Sequence, residues 1–371
     1  MRVMVSGGGT GGHFYPALTV MKKLHKENEK HSICYIGTGR GLEAKIAPQF
    51  DWLEFKTITT RGLSRQSIIG LLKGLLLLPL GLIQTFLAIK KFNPDVIYGT
   101  GGYTTFPPAF WGVVLQVPVL THELNLKPGL TNRVLSRLGT KVLLSYSDTQ
   151  HYLPNGNTEV TGTPVREEIS QEKKKASPES FGLKPNSPII LLFGGSKGSE
   201  ILIEKVIQEF ERKSSDTDIP FQFLILTGKN NYSTFRKRVE SLSSEKISLV
   251  EYLEEMGEVY RMSDLVICRG GAGTMSELVA TEKPAIIVPW GKAAENHQYL
   301  NGKYLEEKGA AFLIKERDWP NYPLVETLTD LFSSEDELRK MSESYRNMDS
   351  GNGARNVVEI LKSTTIEGEL C

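Results

Sequence analysis

The sequence predicts an α/β protein built as two halves, each a parallel sheet flanked by helices. Three observations predict it. Short apolar, β-branched runs alternate with helix-length segments along the 371 residues, the pattern of repeated βαβ units. The rhythm breaks at "TGTPVR" (161–166) and then restarts. Each half opens on a strand that runs into glycines, "VSGGGTGG" over 5–12 and "FGGSKG" over 193–198.

The first strand is Arg2–Ser6, short, β-branched and bounded by glycine. A helix is expected over Tyr15–Lys26, after the glycines. Strand-like runs follow in "SICYIG" (32–37), "WLEFKTI" (52–58), "DVIYGTGG" (95–102), "VPVLTHE" (117–123) and "TKVLLSY" (140–146). The polar, proline-containing run "QEKKKASPESFGLKPNSP" (171–188) reads as a linker or surface excursion. Strands resume in "IILLFGG" (189–195), "FQFLILTG" (221–228), "KISLVEYL" (246–253), "DLVICRGG" (264–271), "PAIIVPW" (284–290) and "AAFLIKE" (310–316). Glycine clusters at 7–12, 99–102, 194–198 and 270–273 all lie at predicted strand ends. Ligands of open α/β sheets bind outside those carboxyl ends, so two facing sheets would share one cleft.

Composition narrows the function. A hydrophobic content of 40% is ample for buried cores, and a net charge of +1 does not point to nucleic acid. Cys34, Cys268 and Cys371 have no metal-ligand spacing and form no disulfide framework, which fits a reducing compartment. Apolar residues stop at Val5, so no secretory signal is expected. No uncharged apolar run reaches 18 residues, so a spanning helix is not expected either.

Five glycines occupy six positions between Gly7 and Gly12. Without Cβ atoms the chain turns sharply and a ligand comes close. The next helix offers free N–H groups and a positive dipole end, suited to phosphate or a developing anion. Gly7, Gly9 and Gly12 satisfy G-x-G-x-x-G, but a dinucleotide site also wants a carboxylate after the second strand, and none occurs before Glu43. A plain packing turn would need only one or two glycines. His13 follows at once. The helix end disfavours its cation and keeps it neutral, the form of a general base, although a lone histidine is also an ordinary structural residue.

In the second half, "GGSKGS" (194–199) is not a P-loop but reads as a phosphate-facing turn with Ser196 as an added donor. In "CRGGAGTMSELVA" (268–280), Glu277 is expected about one turn into a helix beginning near Thr274. There it is either a dipole partner or an acceptor for both ribose hydroxyls. "ENHQYLN" (295–301) opens the next helix with groups suited to a sugar, or is simply a polar helix start. "DTD" (216–218) precedes a strand rather than following one, and no metal is assigned to it. Arg166 is the candidate guanidinium for diphosphate, against an ordinary surface arginine. No cofactor is expected.

The segment Ser67–Phe92 is the most apolar, interrupted by Lys73, Pro79 and Gln84. Between Glu54 and Asp95 there is no acidic residue, but there are Lys56, Arg61, Arg65, Lys73, Lys90 and Lys91. An apolar surface with a cationic rim suits an anionic bilayer; part of the helix is expected to pack on the sheet instead.

Together, "GGTGGH", "GTGGY", "HELN", "GLTNR", "GTPVR", "GGSKG", "GAGTMSE" and "HQYLN", in this order and spacing over essentially the whole chain, resemble the MurG family. These are peripheral-membrane N-acetylglucosaminyltransferases of bacterial peptidoglycan synthesis. The resemblance implies the GT-B fold, two Rossmann-like domains facing across a cleft, with domains at 1–165 plus 351–371 and at 166–350. It implies inverting transfer of N-acetylglucosamine from UDP-N-acetylglucosamine to the 4-hydroxyl of the N-acetylmuramoyl-pentapeptide of lipid I, giving lipid II and UDP. It implies residence at the cytoplasmic face of the plasma membrane, without nucleic acid, beside other cell-wall synthesis proteins. His13 and Glu123 match catalytic motifs. Thr10, Gly11, Gly12, Tyr103, His122 and Asn125 match the acceptor side. Arg166 and Ser196 match diphosphate contacts, and Leu253 matches the position whose main chain reads uracil. Ala272, Gly273 and Thr274 match nucleotide contacts, Glu277 the ribose partner, and Gln298 with His297 the sugar site.

Some positions depart from the family pattern. His297 stands where some members have glutamine, Leu124 replaces a glutamine of "HEQN", and "GGYTTFPP" is bulkier than the usual turn after "GGY". Three alternatives to the transferase are a non-hydrolysing UDP-sugar epimerase, a nicotinamide oxidoreductase and a noncatalytic sugar-nucleotide sensor. An epimerase needs no lipid acceptor, and the cationic apolar segment argues against it.

Overall fold

The computed structural model describes residues 1–9, 11–62, 68–170, 176–195, 198–212, 219–242, 244–348 and 352–369. The chain divides into two compact units, Met1–Arg166 with Gly351–Cys371, and Glu167–Ser350.

The first unit holds strands β1 (Arg2–Ser6), β2 (Ser32–Gly37), β3 (Leu53–Thr57), β4 (Val96–Gly99), β5 (Val119–Glu123), β6 (Lys141–Leu144) and β7 (Thr158–Val160). They form one parallel sheet in the order β3-β2-β1-β4-β5-β6-β7. Helices α1 (Gly11–Glu27), α2 (Leu42–Ile46), α3 (Ile68–Phe92), α4 (Phe106–Val114) and α5 (Leu130–Arg137) make the crossovers. The inner strands are buried on both faces because helices cover both faces. β7 is a strand the sequence does not announce. Its "TEV" has no buried residue, and only pairing with β6 extends it. α1 starts at Gly11 rather than Tyr15, which puts His13 in its first turn.

In the second unit, α6 (Glu167–Ser170) precedes strands β8 (Ile189–Phe193), β9 (Gln222–Leu226), β10 (Ile247–Val250), β11 (Leu265–Cys268), β12 (Ala285–Ile287) and β13 (Ala311–Leu313). These pair in parallel as β10-β9-β8-β11-β12-β13. The helices are α7 (Glu200–Arg212), α8 (Tyr232–Leu242), α9 (Met256–Met262), α10 (Ala272–Thr281), α11 (His297–Glu307), α12 (Leu324–Ser333) and α13 (Glu335–Ser344). The last helix, α14 (Gly353–Glu369), belongs to the first unit. Its Val357, Val358 and Leu361 are fully buried in the core that α1 shares. At about 1.5–3 kcal/mol each, these three side chains contribute to holding it there. Gly353 is needed at its start, since a Cβ would lie 2.3 Å from the Thr163 carbonyl.

α3 carries two opposed stripes. Gly81, Thr85, Ile89 and Phe92 face inward, and Trp111 of α4 donates its indole N–H to the Leu82 carbonyl at 2.8 Å. Leu72, Leu75, Leu76, Leu80, Ile83 and Leu87 are exposed on the other side. By length and composition, Gly74–Phe92 is the one helix among the described residues apolar enough to cross a membrane, with a mean hydropathy of 1.6. The expectation that no uncharged apolar run reaches 18 residues is unaffected, because Lys73 precedes this segment and Lys90 and Lys91 fall inside it. Of the expected cationic rim, Lys90 and Lys91 are exposed, whereas Lys56 pairs with Glu54 at 2.9 Å on β3. Arg65 lies outside the described residues.

Candidate active site

In each sheet the strand order reverses once, between β1 and β4 and between β8 and β11. Such a reversal opens a crevice at the carboxyl ends, because the two crossovers leave in opposite directions. The glycine clusters 7–9 and 99–102 flank the first crevice, and Gly194, Gly195, Gly198 and the cluster 270–273 the second.

His13 stands at the first crevice, half-buried. Its Nδ1 lies 2.8 Å from the Thr100 carbonyl, while the Thr100 hydroxyl donates to the His13 carbonyl at 2.7 Å. A carbonyl only accepts, so Nδ1 carries the proton and Nε2 keeps the lone pair. Nε2 has no hydrogen bond among the described residues. The ring rests on Gly101 and Gly102, whose φ values are +90° and +78°. Cβ atoms there would stand 3.3 Å and 3.2 Å from its carbons, so "GTGGY" needs both glycines. Burial holds the His13 pKa below its ordinary value, against the Glu123 charge and the Thr100 carbonyl. The neutral form is the one expected from the helix end, but burial is its larger cause.

Glu123, at the end of β5, is 2% exposed. Its Oε1 accepts from the main-chain and side-chain nitrogens of Asn125 at 3.0 and 3.1 Å. Its Oε2 accepts from the Gly129 N–H and from Asn132 Nδ2, both at 2.8 Å. Four donors fill this carboxylate, which braces the 124–129 loop and the start of α5. Asn125 points inward to it. Asn132, in "GLTNR", is a residue the sequence reading quoted without a role, and it also donates to the His122 carbonyl at 3.0 Å.

His122 does not line the crevice, a correction to its acceptor-side assignment. Strand alternation turns it into the core, fully buried, with Nδ1 2.9 Å from the Tyr98 hydroxyl. Burial pushes its pKa down to about 3. The folded value lies below the unfolded one, so its stabilisation is complete above pH 6.5 and lost as pH falls toward about 3. We expect unfolding free energy to drop by about 1.4 kcal/mol per pH unit from this residue across that window. Urea unfolding of wild type and His122→Gln between pH 7 and 4 checks it, with the variant lacking this one-proton slope.

Tyr103 covers the glycine loop, since a Cβ at Gly9 would meet its ring at 2.6 Å. Gly12 is exposed and Gly11 half-exposed at the start of α1. Thr10 and Ser196 lie outside the described residues. Arg166 ends the first unit, its guanidinium 5.3 Å from the Tyr15 ring centre.

At the second crevice Gly198 has φ +75° and would carry a Cβ 1.8 Å from the Thr227 carbonyl, so only glycine fits. Next to it, the Ser199 hydroxyl accepts from Arg269 Nη2 at 2.8 Å. Arg269 is buried, pairs with Glu316 at 2.5 Å and donates to the Val288 carbonyl at 3.1 Å. Glu316 in turn accepts from the Gly291 N–H at 2.9 Å. The sequence reading missed this pair; the one signal was an arginine directly after strand β11.

α10 begins at Ala272, not near Thr274, because extended Gly271 is its N-cap. Glu277 therefore sits past the first turn, which removes the dipole-partner reading; its carboxylate accepts from the Tyr260 hydroxyl at 2.9 Å. Ala272, Gly273 and Thr274 form the half-exposed helix start, and a Cβ at Gly273 would meet nothing within 4 Å. Leu253 is half-buried in the loop after β10. α11 starts at His297, after Glu295 and Asn296 with φ of 48° and 61°. The predicted start at Glu295 fails because both residues are left-handed, a strained conformation that clusters at functional sites. Gln298 Oε1 accepts from the Trp290 N–H at 2.9 Å. His297 is half-buried beside it. Among the described residues no three His, Cys, Asp or Glu side chains gather as metal ligands, and "DTD" lies outside them.

Two family descriptions match in order, the glycosyltransferase family 28 N-terminal domain over residues 3–144 and its C-terminal domain over 189–359. A UDP-N-acetylglucosamine--N-acetylmuramyl-(pentapeptide) pyrophosphoryl-undecaprenol N-acetylglucosamine transferase of Caldanaerobacter subterraneus is 34% identical, the match covering 98% of this chain and 100% of the relative. A relative of the same name from Desulforamulus reducens is 36% identical over 94% of both chains. Among solved structures, MurG of Acinetobacter baumannii superposes with a TM-score of 0.78 at 24% identity, covering 98% of this chain and 99% of the other. A UDP-GlcNAc 2-epimerase from Neisseria meningitidis gives 0.66 at 18%, covering 99% and 100%. These likenesses give the fold, two Rossmann-like domains of the GT-B kind. With both domains matched in order and relatives above 30% identity over nearly full length, the chain belongs to glycosyltransferase family 28.

Proposed function

We propose that this protein is an inverting transferase that moves N-acetylglucosamine from UDP-N-acetylglucosamine to the 4-hydroxyl of the muramoyl-pentapeptide of lipid I, releasing UDP and lipid II. The names of the full-length relatives support it. The observation that carries the chemistry is the imidazole of His13, neutral, with its tautomer set by the Thr100 carbonyl and Nε2 left to take a proton. The acceptor hydroxyl gives that proton to Nε2 as its oxygen attacks the anomeric carbon. One in-line displacement inverts that carbon. Glu123 is the weaker candidate for base, because its lone pairs are already engaged by four donors.

The leaving diphosphate is met by the 194–198 turn, the start of α10 and Arg166. The open space beside Gly273 and Gly195 supports a ligand at these helix ends. Glu277 takes the ribose hydroxyls, the Leu253 main chain takes uracil, and Gln298, with His297, takes a sugar hydroxyl through its amide N–H₂.

The test is transfer of radiolabel from UDP-N-acetylglucosamine to a lipid I analogue. We expect labelled lipid product, at an unchanged rate with a chelator. Epimerised nucleotide sugar without acceptor would instead establish the epimerase reading that the Neisseria fold neighbour suggests.

The exposed stripe of α3, with Lys90 and Lys91 at its end, supports docking on the anionic cytoplasmic face of the plasma membrane. Each leucine contributes up to roughly 1.5–3 kcal/mol when buried. Replacing Leu76 and Ile83 together by glutamate is expected to weaken cosedimentation with anionic vesicles by at least about tenfold. Transfer to a water-soluble acceptor analogue should stay at the wild-type rate.

A further inference from the structure

Glu43 is 1% exposed, at the start of the short helix α2 that follows β2. Its Oε1 accepts from the Thr38 hydroxyl at 2.9 Å and from the Gly9 N–H at 3.4 Å. The Gly8 N–H donates to the Thr104 hydroxyl at 2.7 Å, and the neighbouring Tyr103 ring lies over Gly9. Gly8 and Gly41 close on the carboxylate: their Cβ atoms would stand 2.7 Å from Oε1 and 2.9 Å from Oε2. Oε2 is buried with no hydrogen-bond partner among the described residues. A buried carboxylate oxygen left unpartnered costs free energy, so its retention needs a reason.

The sheet order supplies one. β2, β1 and β4 are adjacent, and the loops leaving their carboxyl ends carry Thr38, Gly8–Gly9 and Tyr103. Two of these loops bond the carboxylate directly, and the third closes on the Gly8–Gly9 turn through Thr104 and Tyr103. The same burial closes Glu43 to a nucleotide ribose, because Gly8 and Gly9 lie over it. The acid that a dinucleotide site would present to its ligand is turned inward here.

We infer that Glu43 is a positioning residue: it locks the Gly8–Gly9 turn to Thr38 and Tyr103 and so sets the acceptor-side surface next to His13. The kinetic arm of its test rests on the transferase reading; the other arm does not. Amide hydrogen exchange on the free protein should show residues 7–9 and 100–105 exchanging at least about tenfold faster in Glu43→Ala, with β8–β13 unchanged. In the same variant the acceptor KM should rise by about fivefold or more, with the UDP-N-acetylglucosamine KM within about twofold of wild type. Glu43→Gln keeps the accepting carbonyl and should recover both readouts to within about threefold.

If Glu43→Ala does not fold, Thr38→Val removes only the hydroxyl link and should show the same selective loss at smaller size. Unchanged exchange in these loops overturns the inference. So does a parallel rise in donor and acceptor KM, which would mark a general structural role. A wild-type protein that transfers no label sinks the transferase reading, and exchange alone then decides Glu43.

Discussion

Replacing His13 by alanine is expected to lower kcat by about 10²–10⁴-fold, the usual contribution of a positioned general base. The side chain is half-buried and its ring packs on two glycines, so its removal leaves a small gap at the surface. The melting temperature should therefore move by only a few degrees. The UDP-N-acetylglucosamine KM should stay within about twofold, because the donor groups lie in the other unit. Glu123→Gln should behave in the opposite way. Its new amide faces donors from Asn125 or from Gly129 and Asn132, and the 124–129 loop loosens, with a clear loss of stability. A His13→Ala enzyme with more than a tenth of wild-type turnover would remove His13 from the base role.

The pH dependence follows from the same residue. Burial lowers the His13 pKa from 6.5, so the basic form persists to more acidic pH than in a free imidazole. The acid limb of kcat/KM should therefore fall below pH 6.5, not above it. For stability the sign is the same: the contribution is complete above the unfolded value and is lost as pH falls from there toward the lower folded value.

Arg269→Ala should destabilise the second unit strongly, by about 3–5 kcal/mol. Its buried guanidinium joins three segments: Ser199 before α7, the Val288 carbonyl after β12, and half-buried Glu316 after β13. Removing it strands a partly buried carboxylate and two accepting oxygens. The turn before α7 is proposed to hold the diphosphate, so the donor KM should rise by about tenfold or more. Arg269→Lys keeps the charge but loses the fork that reaches three acceptors, and should recover only part of either effect. Urea unfolding and donor saturation curves check both. Full stability in the alanine variant would reduce the pair to a surface ornament of the fold.

Strand rhythm and glycine clusters made the two-unit α/β architecture readable from the residues, and twelve strands were anticipated where thirteen form among the described residues. β7 was missed because its three residues have no apolar pattern, and pairing with β6 alone creates it. The helix starts at Gly11, Ala272 and His297 were each misplaced by two to four residues. Glycines and left-handed residues at those ends carry no periodicity to mark the boundary. His13, Glu123 and Glu277 were legible as chemistry-bearing residues beside glycine turns. Arg269 and Glu43 were not, because what distinguishes them is the partner each meets across the sheet.

Local covalent facts therefore belonged to the chain itself: which segments are apolar, where a Cβ is absent, which side chains titrate. These depend only on neighbours a few positions away. Packing decided the rest. It turned His122 into the core, filled Glu123 with four donors, left Nε2 of His13 without a partner among the described residues, and brought the Gly9 and Thr38 loops onto Glu43. Burial and hydrogen-bond saturation set a group's proton affinity and reach, and both arise only when strands distant in sequence lie side by side.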